Sequence, residues 1–333
     1  MHMIMGYERV RVLFLLFLIP LPTVLGWGKE GHYATCKIAQ EYLSEDALFA
    51  VKQLLPDSAQ GDLAAVCSWA DEVGHTHRYH WSSALHYVDT PDFKCNYEYC
   101  RDCHDSYRHE HRCVSGAIYN YTMQLKSADA GISSEFNCTH SQRIFLVYLL
   151  HKNIGPLIYC SNSAFTITDN LTEALMFLSH FVGDIHQPLH VGFTGDLGGN
   201  TITVHWYRRK ANLHYVWDDL IIQSALKTFY DSDLSIMIQA IQRNITDNWL
   251  NDVSTWEHCA HNYTACPNRY ASESISLACK FAYRNATPGS TLKDEYFLSR
   301  LPVVEKRLAQ GGVRLAAILN RIFTSSKTRI AQA

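Results

Sequence analysis

"NLTEALMFLSHFVGDIHQPLH", Asn170 to His190, is the stretch that decides how this chain folds. Its first half is apolar at helical spacing, opens with Asn170 and Glu173 in capping-box positions, and runs until Pro188 forbids continuation. Its second half is crowded with titratable side chains. On a helix His180 and Asp184, four apart, project from one face about 40° off register, while His186 falls about 120° away from His180. Beyond Pro188, His190 is free to turn back. The block "NLHYVWDD", Asn212 to Asp219, repeats the device with His214 and Asp218. Imidazole and carboxylate at i, i+4 form a zinc-type bidentate pair. One such pair is more often a histidine bonded to a neighbouring acid. Two within 39 positions, one trailed by His-Gln-Pro-Leu-His, weigh toward a metal.

The rest of the chain sets bounds on that reading. It has 333 residues, 47% of them hydrophobic, enough for a substantial core, and no repeat or low-complexity tract divides it. A formal charge of -3 does not imply a strongly basic face for tracking duplex phosphates. Residues 1–26 read as a secretory signal: Arg9 and Arg11, the apolar run "VLFLLFLIPL", then "TVLG" with small residues before a cut. The apolar run is too short to span a bilayer, and no later segment reaches the roughly 20 residues required. A mature chain starting at Trp27, extracellular or vacuolar, is expected. All eleven cysteines lie after the cut, and six sequons, at Asn120, Asn137, Asn170, Asn244, Asn262 and Asn285, mark glycosylation candidates.

Secondary structure is predominantly helical by pattern. "KEGHYATCKIAQEYL" (29–43), "EDALFAVKQLL" ending before Pro56, "SIMIQAIQRNI", "ASESISLACKFAYR" and "VVEKRLAQGGVRLAAILNRIF" all show amphipathic spacing. One strand signal, "NTITVHWYRR" (Asn200 to Arg209), alternates with period two after a "GDLGGN" turn, and the cysteine-rich stretch from Cys95 to Cys113 reads as loop. The expected fold is a mainly α single domain with a small β-ribbon.

Asp71 in "CSWADEV" and His86 in "SSALHYVD" are unremarkable alone, a helix-end acid and a half-buried imidazole. The amino terminus "WGKEGH" changes their weight. A free α-amine, with an ordinary pKa near 8, deprotonates readily beside a metal. With its own carbonyl it closes a five-membered chelate, and His32 follows one helical turn inward.

Taken together, "WGKEGH", "HFVGDIHQPLH", "GGN" and "HYVWD" resemble the S1/P1 nuclease family, zinc-dependent single-strand nucleases and 3′-nucleotidases, and are most similar to its plant secreted members. The resemblance covers Trp27 to about Lys126 and about Asn170 to Phe323. It implies the mainly helical fold shared with zinc-dependent phospholipase C, a nuclease domain over residues 27–323, and three zinc ions. One zinc would take Asp71, His86, His180 and Asp184. A second would take the Trp27 amine and carbonyl, His32 and the other oxygen of Asp184. The third would take His190, His214 and Asp218, leaving His186 and His205 outside. The implied reaction is phosphodiester hydrolysis of single-stranded DNA and RNA, and of 3′-nucleotides, by a metal-bridging hydroxide, leaving 5′-phosphates; Asp71 and Asp184 are the catalytic carboxylates. Asp89 and Asn200 are the implied base-binding residues, although Asn200 could equally be a turn residue. The implied disulfides are Cys36–Cys67, Cys103–Cys113 and Cys259–Cys266, with Cys95–Cys279 as a fourth. A monomer is expected.

Two departures from the family stand out. Three positions after Asp71, where relatives carry Lys or Arg, stands Gly74, with Arg78 or a nearby histidine as substitute cations. Residues 135–168 form an atypical insert where relatives pass almost directly from "MQLKS" to "NLTEALMF"; in it Cys138 and Cys160 could pair, leaving Cys100 single, and residues 324–333 form a tail. Two rival readings remain at this level. A zinc phospholipase C shares most ligand spacings but closes its last pair with Glu, where this chain has Asp218. A secreted glycoprotein with structural zinc would bind metal without turnover.

Overall fold

The helix that begins the decisive stretch spans Ile167–Asp184, and nearly every residue from Ala174 to Phe193 is buried. A helix apolar on all sides belongs in the middle of a fold, not on its surface. In this computed structural model, which describes residues 27–129 and 167–323, other helices surround it. Phe177 stacks on Tyr121 (ring centroids 5.2 Å apart) and on Phe181 (5.4 Å), and the Trp69 ring meets it edge-on at 5.0 Å. Leu175, Phe177, Leu178, Phe181 and Val182 are at most 1% exposed. Each such side chain contributes about 2 kcal/mol of burial, so truncating Phe181 to Ala should cost about 3–5 kcal/mol.

In chain order the helices are α1 (Lys29–Glu41), α2 (Glu45–Leu54), α3 (Trp69–Gly74), α4 (Tyr99–Asp102), α5 (Val114–Asp129) and α6 (Ile167–Asp184). There follow α7 (Leu213–Tyr215), α8 (Ile221–Phe229), α9 (Leu234–Asp247), α10 (Leu250–Glu257), α11 (Pro267–Leu277) and α12 (Asp294–Ile322). A π-turn over Val216–Leu220 joins α7 to α8. Local rules explain several boundaries. Ser44 Oγ accepts the Ala47 amide and caps α2, and Leu55 turns extended ahead of Pro56 to end it. Helix α12 packs along α1 and α6, and the buried apolar residues from Trp27 to Phe323 form one cluster.

Three strands, β1 (Thr203–Trp206), β2 (Arg209–Asn212) and β3 (Thr291–Leu292), make a sheet of order β2-β1-β3. β1 pairs antiparallel with β2, Trp206 opposite Arg209, and parallel with β3.

The mainly helical expectation holds, and several details differ. The stretch Asn200–Arg209 is not one strand: Asn200 to Ile202 belong to a turn, and Tyr207, at φ 54°, folds the chain back between β1 and β2. A turn built on a left-handed tyrosine has no Gly or Asn to advertise it. Helix α6 starts three residues before Asn170, which therefore does not cap it. An Asn-x-x-Glu spacing is a weak stop signal, because Asn inside a helix costs only tenths of a kcal/mol. α12 starts at Asp294, upstream of the expected Val303, and runs through Pro302. That proline is exposed, and so is Leu298, whose carbonyl loses its helical donor and can bond water instead. The short helix α4 interrupts the cysteine-rich loop.

The proposed signal, most of the 135–168 segment, the tail, Asn137, Cys138 and Cys160 lie outside the described residues, as do the side chains of Asn170 and Asn262. No helix among the described residues is long and apolar enough to cross a membrane.

Candidate metal centre

The end of α6 delivers two fully buried groups, His180 and Asp184, into a cavity that other elements enter from three sides. From α1 comes His32, from α3 Asp71, and from the loop after Leu85 comes His86. Their donor atoms converge. His180 Nε2 lies 3.1 Å from Asp184 Oδ2 and 3.3 Å from Asp71 Oδ1. His86 Nδ1 lies 3.1 Å from Asp184 Oδ2 and 3.4 Å from Asp71 Oδ1. His32 Nε2 sits 3.2 Å from the other oxygen of Asp184 and 3.8 Å from Asp71 Oδ2.

A third group stands beside these. His214, on α7, reaches Asp218 in the π-turn (Nε2 to Oδ2, 3.4 Å), and the His190 ring lies 4.9 Å from that of His214. Ligand-type atoms thus lie within 4.8 Å of one another in each of three sets: His32, Asp71 and His180; His86, His180 and Asp184; His190, His214 and Asp218.

Hydrogen bonds behind the rings fix which nitrogen faces inward. Backbone carbonyls accept the Nδ1–H of His180 (Cys67 O, 2.8 Å), of His190 (His86 O, 2.6 Å) and of His214 (Gly198 O, 2.6 Å). Each ring therefore presents an Nε2 lone pair to the cavity, the tautomer that binds a metal. His180 Nε2 and His86 Nδ1 stand 3.0 Å apart. Gln187 Nε2 donates to Asp218 Oδ1 (2.5 Å), while its Oε1 accepts the Leu189 amide.

The charge balance favours cations. Asp71, Asp184 and Asp218 place three carboxyls in one dry region, and both Asp184 oxygens are buried with no hydrogen-bond donor. Burial alone would raise the Asp184 carboxyl; the neighbouring His180 and His190 instead hold it well below its usual range. Burial pushes Asp218 well up, offset in part by Gln187, with Asp219, Asp71 and Asp184 adding to the rise. His32 is pushed down by burial and by His180, whereas Asp184 and Asp71 outweigh burial and hold the His180 imidazole well above its usual range, so without a metal one proton on His180 takes the place a cation would fill. Buried carboxylates facing neutral imidazoles suit divalent ions of the zinc type.

Close approach of backbone is part of the design. A Cβ on Gly183 would lie 2.7 Å from His32 Nδ1, and one on Gly198, at φ 61°, would lie 2.5 Å from Leu189 O. The missing side chain at 198 thus lets this turn close on Leu189 O while its own carbonyl accepts from His214. Trp27 is fully buried, and the Gly28 amide donates to the Asp218 carbonyl (3.0 Å), so this short segment abuts the third group.

The remaining predicted residues are placed as follows. Asp89, three residues after His86, has its carboxyl pushed up to about 7 by burial and by Asp196 and Asp92. Asn200 uses its amide locally, Nδ2 to Leu197 O (2.9 Å) and Oδ1 to Asn212 Nδ2 (3.3 Å), which favours its turn role. Gly74 ends α3 in open space, with Ser82 Oγ 3.9 Å from a Cβ built there. Arg78 is engaged with Glu173 (3.1 Å). His186 lies outside the three groups: its Nδ1–H donates to Val182 O, and Nε2 accepts from Arg314, which pairs with Glu273. His205, on β1, joins no group among the described residues. Asn285 is exposed, whereas Asn120 and Asn244 are half-buried on helices.

All four cysteine pairs form, Cys36–Cys67, Cys95–Cys279, Cys103–Cys113 and Cys259–Cys266, and Cys100 is free and exposed. Sequence reasoning missed Gln187, although it sits inside the quoted motif, and the carbonyls of Cys67, His86 and Gly198, which carry no side-chain signal at all.

A family model described as S1/P1 Nuclease matches residues 27–324. Endonuclease 4 of Arabidopsis thaliana is 62% identical over 301 residues, 90% of this chain and 90% of the relative. Endonuclease 3 of the same plant is 55% identical over 99% of this chain and its own full length. Nuclease P1 of Penicillium citrinum is 30% identical, covering 90% of this chain and 98% of the relative.

Proposed function

This chain belongs to the S1/P1 nuclease family and is a hydrolytic nuclease, and from that premise we propose its substrates and its division of labour. It cuts single-stranded DNA and RNA internally, leaving 5′-phosphates, and removes the phosphate of 3′-nucleotides.

The observation that carries the reading is the way Asp184 divides its oxygens. Oδ2 faces His86 and His180, and Oδ1 faces His32. A carboxylate so placed could offer one oxygen to each of two ions. We assign Asp71, His86, His180 and Asp184 to one, and the Trp27 amine and carbonyl, His32 and Asp184 to the second. His190, His214 and Asp218 hold a third. Zinc bound there supplies Lewis-acid charge at the phosphate and makes water acidic enough to act at neutral pH.

The chain's own residues do the rest. The backbone carbonyls behind His180, His190 and His214 hold those rings rigid, and Gln187 fixes the Asp218 carboxylate, so ligand vectors need not reorganise during turnover. Asp71, whose side chain is 10% exposed, stands at the cavity mouth, where its carboxylate accepts a hydrogen bond from the attacking water. No serine or cysteine nucleophile is required.

Preference for single strands has a structural rationale. Phe193 stacks on Tyr283 at 4.6 Å and leans on Phe93 at 6.0 Å, and Phe93 is 89% exposed. This ladder, whose Tyr283 feels the Asp89 carboxylate, offers an exposed face at Phe93 to a splayed base, which a duplex does not present.

Zinc analysis of the purified mature protein, with digestion of single-stranded DNA, RNA and 3′-AMP, tests the reading. About three zinc per chain with hydrolysis of all three substrates is expected. Bound zinc without hydrolysis would reject it in favour of a structural metal.

A further inference from the structure

The turn that folds β1 onto β2 carries Arg208, Arg209 and Lys210 in succession, all exposed, in a chain whose formal charge is only -3. Across from it Lys227, on α8, is also exposed. Between them lies a groove of about 330 Å³, lined by Tyr207 and Leu220 as well as by Trp206, Arg208, Arg209, Gln223, Ser224 and Lys227. Its floor is fixed, because the buried Trp206 ring donates Nε1–H to Ser224 Oγ (3.1 Å). Cations lie on both banks, with amide and hydroxyl groups on the floor.

The groove lies close to the third ligand group in the chain: Leu220, two residues after Asp218, lines it. β2 ends at Asn212, whose side chain caps α7, and α7 carries His214. Arg209 Nη2 donates to the Tyr215 hydroxyl (3.2 Å) and lies over the Tyr215 ring at 5.1 Å. Asp219 stands near this bank; its carboxylate lies against Gly28, and Arg209 acts on it electrostatically. At the outer end Tyr207 donates to Asp294 (2.6 Å). Arg208, Lys210 and Lys227 therefore form an exposed cationic patch flanking this groove, with Arg209 tied to Tyr215, the neighbour of His214.

We propose that this groove binds the backbone phosphates of a polynucleotide strand to one side of the cut bond, with Arg208 and Lys227 as positioning residues for long substrates. The occupant follows from charge: cations on both banks of a groove whose chain neighbours flank the third ligand group suit the repeating phosphates of a strand, and Trp206 and Leu220 leave the floor room for its apolar sugar faces. The inference rests on the nuclease reading. It goes beyond it by separating long from short substrates, since a mononucleotide fills the metal centre without reaching the groove.

The test compares wild type with Arg208→Ala/Lys227→Ala and with Arg208→Glu/Lys227→Glu, using a long single-stranded oligonucleotide and 3′-AMP across a salt series. Each phosphate contact to a single strand carries a salt slope of about 0.7, so near 0.1 M salt its loss raises KM about fivefold. The double alanine variant should raise KM for the oligonucleotide about 25-fold and flatten log KM against log salt by about 1.4, with kcat/KM for 3′-AMP unchanged. Charge reversal should raise KM further. Equal losses on both substrates, or an unchanged KM and slope for the long one, would overturn the proposal. So would loss of sedimentation with phosphatidylserine vesicles while oligonucleotide kinetics stay intact, which would give the groove to an anionic lipid surface. Wild type inert toward both substrates would instead sink the nuclease reading.

Discussion

Replacing Gly183 with alanine perturbs the centre without touching a ligand. The new methyl carbon would lie 2.7 Å from His32 Nδ1 and 3.0 Å from its Cε1, where ordinary contact begins at 3.4 Å, so the ring must withdraw by about 0.7 Å. It has nowhere easy to go: His32 is fully buried and stacks on His180 at 3.8 Å with 16° between ring planes. Two effects on stability oppose each other. Overpacking costs about 1–3 kcal/mol, and alanine for glycine inside a helix returns about 1 kcal/mol. The net loss is about 0–2 kcal/mol, a shift in Tm of a few degrees for a chain of this size. Function responds more steeply, because a ligand displaced by most of an ångström costs about 100-fold in rate. We therefore expect Gly183→Ala to fold with Tm within about 5 °C of wild type and to lose about 100-fold in kcat/KM on 3′-AMP, with weaker zinc retention on dialysis. Activity within about threefold of wild type would refute the claim that His32 is held in place by the missing side chain at 183.

Gly74→Lys has room for its stem, since only Ser82 Oγ lies near, and should raise kcat about tenfold by restoring a cation beside Asp71; an equal or lower rate in a folded variant rejects the missing-cation account. One extra residue before Trp27 should abolish activity while leaving the secondary structure intact, because the α-amine would be an amide; circular dichroism with a 3′-AMP assay checks this. The Asp89 carboxyl, ordinarily near 3.8 and held at about 7 in the fold, stays protonated more readily folded than unfolded, so it costs stability increasingly as pH rises from 3.8 to about 7. Asp89→Asn should thus gain Tm over wild type at pH 8 and not at pH 4, and a constant difference across that range would contradict the burial argument. Glu273 neutralises the buried Arg307 and Arg314 and is itself held down at about 2, despite burial, by the bonded Arg314 and by Arg307 and Arg269. Glu273→Ala should lower stability by about 3 kcal/mol, or about 10 °C in Tm, which thermal denaturation measures.

The sequence was most informative where one residue type carries one physical job. The i, i+4 pair His180 and Asp184, the parallel His214 and Asp218, and the proline after His186 all announce themselves by spacing. So does the buried course of α6, whose apolar residues leave no solvent face. Asp71 and His86 needed the resemblance, because each stands on a short helix or loop with no periodic pattern around it. The backbone carbonyls that orient the imidazoles were invisible, since every residue has one. The β1–β2 turn was hidden for a similar reason: a tyrosine at positive φ leaves unbroken the alternation that marks a single strand. The upstream turns of α12 hid behind Pro302, a signal that ends helices in most contexts and here faces solvent.

Cys36 lies one turn beyond His32 on α1 and is bonded to Cys67, whose carbonyl steadies His180. A single covalent bridge therefore ties together the supports of two imidazoles that come from distant parts of the chain. In a thiol-rich environment that tie is absent, and the segment bearing the carbonyl is held only by weaker packing. Reduction of that one bond therefore loosens both supports together, so the two rings lose their positions as a pair and not one by one.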